Sequence, residues 1–219
     1  MPPAKPIVFL GPSLPHDEAR RLLAGCYRPP VRRGDLLPIA GGRTVAIIDG
    51  ELAPDTLIPA AEIRDALQRG VRLFGAASTG ALRAAELAAC GMIGVGWVHA
   101  AYRSGRIASA EEIAVLYDPR TLRPLTVALV SVRRWLEALA AGGDITAAAA
   151  CEALAAVRRL DLFDRDAGTV QEQIGRCLGQ AATTRLLART GGRIPDVKAD
   201  DARLLLRRLA GRQDRAMAP

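Results

Sequence analysis

The sequence predicts a three-layer α/β domain with a mostly parallel sheet, followed by a helical C-terminal region, and three observations carry that prediction. Short apolar runs end abruptly at breakers: Ile7-Val8-Phe9-Leu10 at Gly11-Pro12, Thr44-Val45-Ala46-Ile47-Ile48 at Asp49-Gly50, and Val71-Arg72-Leu73-Phe74 at Gly75. Helix-like segments lie between these runs, which is the connection that parallel pairing requires. Beyond Leu122 the alternation gives way to helix after helix. The expected division is therefore an α/β core over 1–122 and a helical region over 123–219, packed on the core or forming a small subdomain. A chain of 219 residues that is 50% hydrophobic and 24% charged can bury a real core, which excludes a wholly disordered protein.

Taken in order, the first run reads as a buried strand, and His16 to Leu23 as a helix with Pro15 beside its first turn and Asp17-Glu18 at the favourable end of its dipole. Residues 27–35 form a charged link whose Pro29-Pro30 pair argues against a regular helix. The run at 44–48 has the unbroken apolar character of a strand covered on both faces. A helix over 61–67 ends near Gly70, and the strand at 71–74 leads into a helix over 79–89, with Ser78 as its expected cap and Gly91 as its end. The segment 94–102 is open between a short strand and a helix, and the helix reading covers 97–103. Four further helices are expected near 127–140, 145–160, 169–178 and 200–210, the first with Leu129, Val132, Leu136 and Leu139 on one face.

Composition narrows the chemistry. The chain carries 30 basic and 23 acidic residues, and Lys5 and Lys198 are its only lysines. Residues 1–120 hold 14 basic and 12 acidic groups, and 121–219 hold 16 and 11, so neither half is strongly polarised, although a basic C-terminal face suits an acidic partner or a peptide. No nucleic-acid or membrane partner is expected: no apolar run approaches the roughly 18 residues of a membrane span, and the MPPAKP start does not read as a secretory signal. Cys26, Cys90, Cys151 and Cys177 stand far apart, which suggests free, mostly buried thiols in a reducing compartment and no metal site. Only His16 and His99 are present, leaving histidine chemistry little material.

The most informative stretch is Gly75-Ala76-Ala77-Ser78-Thr79-Gly80-Ala81-Leu82-Arg83-Ala84-Ala85-Glu86. Small residues at a strand-to-helix junction let another group approach the backbone, and amide hydrogens at a helix start can hold an anion. Ser78 is either chemical or a cap, and Gly80 either a site or a packing residue. Arg83 reads as a carboxylate clamp or as a salt-bridging residue, and Glu86, three positions on, as a general acid or base or as its ion-pair partner. Asp49-Gly50-Glu51 lies where parallel sheets place their sites, and Asp49 can serve a ligand or fix its own turn. Asp35 is a second carboxylate for that edge, or a plain loop residue. The candidate catalytic set is Asp49, Ser78, Arg83 and Glu86; the candidate substrate-binding set adds Gly11, Asp35, Gly50, Glu51, Gly75, Thr79 and Gly80.

The ordered succession of Val8-Phe9-Leu10-Gly11-Pro12-Ser13-Leu14, Pro29-Pro30-Val31-Arg32-Arg33-Gly34-Asp35, Ile47-Ile48-Asp49-Gly50, Glu62-Ile63 and the stretch from Gly75 through Cys90-Gly91-Met92 resembles the TfuA-like family, over residues 8 to 117. The resemblance implies a cytoplasmic protein that works with a YcaO protein in peptide backbone thioamidation. It implies release of sulfide from a thiocarboxylated sulfur carrier protein, or an adaptor that recruits that carrier or the precursor peptide. It implies no cofactor on this chain, ATP being expected on the YcaO partner. Three positions depart from the family pattern: Ala61 stands where lysine is frequent, Thr79 where methionine is common, and Ser109-Ala110 where the acidic cluster before Glu111-Glu112 often extends.

Overall fold

The computed structural model describes residues 4–217, with side chains through Arg212. Residues 1–3, where the reading of the chain start as no secretory signal falls, lie outside the described residues. The chain divides into two compact units, one comprising Met1–Ala110 with Lys198–Pro219 and the other Glu111–Val197.

The first unit is the expected three-layer α/β fold. Five strands, β1 (Ile7–Phe9), β2 (Cys26–Arg28), β3 (Thr44–Ile47), β4 (Arg72–Ala76) and β5 (Ile93–Val95), form one sheet in the order β2-β1-β3-β4-β5. Every pairing is parallel. The helices α1 (His16–Leu22), α2 (Ala60–Gln68), α3 (Thr79–Glu86) and α4 (Trp97–Arg103) follow the strands, and the long α9 (Val197–Met217) returns to this unit. Alternate residues of the strands feed two cores. Val8, Leu10, Ala46, Ile48, Phe74 and Ala76 pack with Ala19 and Leu23 near α1 and with Leu205, Leu206 and Leu209 of α9. Ile7, Phe9, Val45, Ile47 and Leu73 pack with Ile63 and Ala66 of α2 and Ala84 of α3. Period-2 alternation with both faces covered explains why these strands read as continuous apolar runs.

Two strands escape the apolar-run criterion. Cys26-Tyr27-Arg28 is a half-exposed edge strand, held by its pairing to β1 rather than by burial. Ile93–Val95 resolves the open segment at 94–102: the strand ends at Gly96, whose φ of 96° turns the chain into α4. The expected helix over 79–89 is shorter, with a 3-10 turn at Ala88–Cys90 closed by left-handed Gly91.

The second unit holds α5 (Leu129–Ala141), α6 (Ala147–Arg158), α7 (Ala167–Leu178) and α8 (Gln180–Ala188) around one core that includes Val132, Trp135, Leu136, Ala153, Val157, Val170 and Ile174. Thr146 and Asp166 cap α6 and α7 through their side chains, as such residues do at helix starts. The Glu111-Glu112 pair ties this unit together: Glu112 takes two hydrogen bonds from Arg133, at 3.2 and 2.5 Å, and Glu111 pairs with the buried Arg165.

Two expectations are corrected. The cysteines are free, but Cys26, Cys90 and Cys151 are exposed and Cys177 half-buried, because they fall on an edge strand, a turn and outer helix positions. The charge excess does not belong to the helical unit: Glu111–Val197 carries eleven basic and eleven acidic residues, while the sheet unit carries nineteen and twelve. Six of the sixteen basic residues of 121–219 lie on α9, which packs on the sheet.

Candidate functional site at the carboxyl edge of the sheet

The strand order changes direction at β1 and β3, since β1 leads outward to β2 on one side and has β3 on the other. Clefts of parallel sheets form at the carboxyl ends of the strands flanking such a point. Here that place is occupied by Gly11 after β1 and Asp49 after β3. Asp49 is 2% exposed, and its carboxylate accepts from Gly11 N–H at 2.9 Å, Ser13 N–H at 3.1 Å and Ser13 Oγ–H at 2.6 Å. Three of its roughly four acceptor positions are thus taken. Gly11 allows the approach, for a Cβ there would stand 2.5 Å from Pro30 Cγ. His16 shares the edge, with Nε2 3.0 Å from the Leu10 carbonyl oxygen. If Nε2 carries the proton of that contact, Nδ1 is left as an acceptor.

The loop after β2 crosses the same edge. Val31 forms a parallel bridge with Gly50, Arg32 pairs with Glu51 at 3.2 Å, and Asp35 accepts from Arg32 N–H at 2.7 Å. Beneath it the buried Glu62 of α2 accepts from Gly34 N–H at 2.7 Å and Leu36 N–H at 2.8 Å. Asp35, Glu51 and Gly50 are thereby linked into one network.

At the β4–α3 junction, Ser78 N–H donates to the Ala76 carbonyl at 2.8 Å across Ala77, whose φ is 66°. This is a γ-turn of the positive-φ kind, a rare and strained conformation for a residue with a Cβ. Ser78 follows with φ −120° and ψ −126° and is 4% exposed, and its side chain makes no capping bond, contrary to the cap reading. The amide hydrogens at the helix start are partly spent: Ser78 N–H and Gly80 N–H both reach the Ile48 carbonyl, at 3.3 and 3.4 Å. Thr79 donates its hydroxyl to the Gly50 carbonyl at 2.9 Å, fastening the turn to the residue after Asp49. Gly75 and Gly80 are packing positions, since a Cβ on Gly80 would collide with the Ile47 carbonyl and one on Gly75 with the backbone of Gly80.

Arg83 and Glu86 stand further along α3. Arg83 donates Nε–H to the Ile58 carbonyl at 3.1 Å and pairs with Glu86 at 2.5 Å. Ser78 and Glu86 are separated by roughly 12 Å of helix axis at 1.5 Å per residue. Among the described residues no hydrogen bond joins Ser78 to Asp49 or Glu86. The structure therefore brings together Gly11, Asp35, Asp49, Gly50, Glu51, Ser78 and Thr79 at one edge, with Gly75 and Gly80 packed beneath the junction, and leaves Arg83 and Glu86 as a separate ion pair.

Sequence reasoning missed Ser13 and Glu62, although a Gly-Pro-Ser turn directly after a strand is itself a signal for a side chain that bonds a neighbouring loop. Tyr27 and His99 are shifted by burial. Burial pushes the Tyr27 hydroxyl up to about 12, and it donates to the Ala19 and Leu23 carbonyls. Burial, with Arg103 nearby, holds the His99 imidazole below its ordinary value. Among the described residues no cluster of histidine, cysteine and carboxylate side chains has the arrangement of a metal site, and no helix is long and apolar enough to cross a membrane.

Comparison with known families matches residues 49–166 to the family described as TfuA-like protein, more than half of the chain. No curated protein gives a significant match.

Proposed function

The chain belongs to the TfuA-like family, and from that premise we propose that it serves a YcaO protein in peptide backbone thioamidation by releasing sulfide from a thiocarboxylated sulfur carrier protein. The reaction is a hydrolysis without redox change: a thiocarboxylate and water give a carboxylate and hydrogen sulfide. ATP belongs to the YcaO partner in this reading, and the precursor peptide receives the sulfur there.

The observation that carries the reading is the uncapped Ser78 on the strained Ala77 turn at the carboxyl edge. A strained turn costs on the order of 1–3 kcal/mol, and such turns gather where a side chain must be aimed. Ser78 is assigned contact with the thiocarboxylate. Asp49 acts by holding the Gly11–Ser13 loop beside it, and Gly50, Glu51, Thr79 and Asp35 shape the approach.

A second reading, a non-catalytic adaptor for the carrier or the peptide, is favoured by one fact: Asp49, Arg83 and Glu86 are all engaged by partners within the fold. An assay of peptide thioamidation by YcaO with ATP, using either a thiocarboxylated carrier or free sulfide, separates the hydrolase from a peptide adaptor, and carrier hydrolysis measured without YcaO separates it from a carrier adaptor. The hydrolase reading expects this chain to be needed with the carrier and dispensable with excess sulfide. An adaptor for the peptide is needed with both.

A further inference from the structure

The excess positive charge lies entirely in the sheet unit, although both units are rich in arginine. Arginine is as frequent in one unit as in the other, 17 in the 132 residues of the sheet unit and 11 in the 87 of the helical unit, so the excess reflects the sheet unit's fewer carboxylates for its length, 12 against 11. Much of it gathers where α1 and α9 pack side by side on one sheet face. Arg203 of α9 grips Glu18 of α1 with two contacts, at 2.6 and 3.2 Å, and also takes Asp200 at 2.9 Å. Those two carboxylates are spent on one guanidinium. The Glu18 carboxyl is held below its ordinary value, first by the Arg203 hydrogen bond and further by the fields of Arg21 and Arg207, which places those arginines around the same seam.

Among the described residues, Arg21, Arg207 and Arg208 are exposed and have no carboxylate paired with them, and Arg20 lies over the Tyr27 ring at 5.0 Å. On α9, Leu204 is 51% exposed, with Arg207 and Arg208 three and four positions on, the spacing that puts side chains on one helix face. The seam starts at Glu18, in the helix turn that comes after the Asp49-held loop, so it opens at the same sheet edge as the candidate site.

We infer that the α1–α9 seam is a docking surface for an acidic polypeptide segment bearing an apolar residue, which seats on Leu204 between arginines. Charge complementarity selects the acidic partner, and a single isolated leucine fits one side chain of a peptide rather than a lipid surface, which takes a broad apolar face. Among the described residues the seam offers no exposed aromatic ring for stacking single-stranded bases. This inference stands apart from sulfide release, because binding is read without carrier, YcaO or ATP.

The test is fluorescence anisotropy of the full chain with a labelled synthetic peptide of glutamates around a central leucine pair. Binding is expected at low salt and should weaken as ionic strength rises past about 0.15 M. The variant Arg207→Glu/Arg208→Glu should weaken it about tenfold or more, while Arg64→Glu/Arg72→Glu, the same change in net charge away from the seam, should stay within about twofold. Arg207→Gln/Arg208→Gln provides the readout if the reversal disturbs folding, and Leu204→Ser should weaken binding without altering its salt dependence. Equal losses in the two reversal variants, no peptide binding, or tighter binding to duplex DNA or to anionic phospholipid vesicles would each overturn the inference.

Discussion

Three donors converge on the buried Asp49 carboxylate, and the effect of a substitution there depends on how replaceable those bonds are. Asn at this position can still accept from Gly11 and Ser13 N–H on its oxygen and donate from its amide to Ser13 Oγ, so Asp49→Asn should cost only about 1–2 kcal/mol. Asp49→Ala strands both backbone donors in a dry site and should cost about 3 kcal/mol or more. Urea unfolding checks both values. Because Asp49 is assigned a positioning role, Asp49→Asn should retain a large part of sulfide release, and its abolition in a folded variant would make Asp49 the general base instead. At this scale the sequence showed which residues gather but not what they touch. Asp49 was legible from its place after a strand, whereas Ser13 as its partner and the Arg83–Glu86 separation depend on side-chain directions that spacing does not encode.

Close approach of α3 to the sheet decides how the Ser78 turn is presented. The helix rests on glycines: Gly80 faces the Ile47 carbonyl and Gly75 faces Gly80. A methyl at either position must push helix and strands apart. Gly80→Ala should therefore destabilise by about 1–3 kcal/mol, the usual cost of overpacking, and should reduce sulfide release by more than its stability loss explains, because the Ser78 and Gly80 bonds to Ile48 are displaced with it. Thermal melting beside the release assay measures the two effects separately. The same scale shows why some elements were legible and others not. Strands β1, β3 and β4 are buried on both faces and leave unbroken apolar runs. Strand β2 is polar and exposed, and only its partner makes it a strand. The start of α4 is capped from far away, with Asp201 accepting from Trp97 N–H and Val98 N–H at 2.8 Å each, and no local pattern announces a cap supplied from the far end of the chain.

Across the whole molecule, the sheet unit is discontinuous in sequence. Its face over β1, β3 and β4 is closed by α9, which buries Ala202, Leu205, Leu206 and Leu209 there. A helical pattern at 200–210 was readable from the sequence, but its return to the sheet was not, since the amphipathic face of a helix does not name its partner. Burying each leucine is worth about 1.5–3 kcal/mol, so a chain ending at Val197 should lose its cooperative unfolding transition and bind a hydrophobic dye. A native-like melt of that truncation would mean the sheet unit is complete without α9.

Sulfide release as an activity of this chain itself is the central claim, and time-resolved mass spectrometry of a thiocarboxylated carrier, with no YcaO or ATP present, tests it most directly. The wild-type chain should convert the carrier thiocarboxylate to the carboxylate faster than buffer does, and folded Ser78→Ala should lose most of that acceleration. Carrier turnover identical with and without the chain, across several carriers that it demonstrably binds, would contradict the hydrolase reading and leave the adaptor.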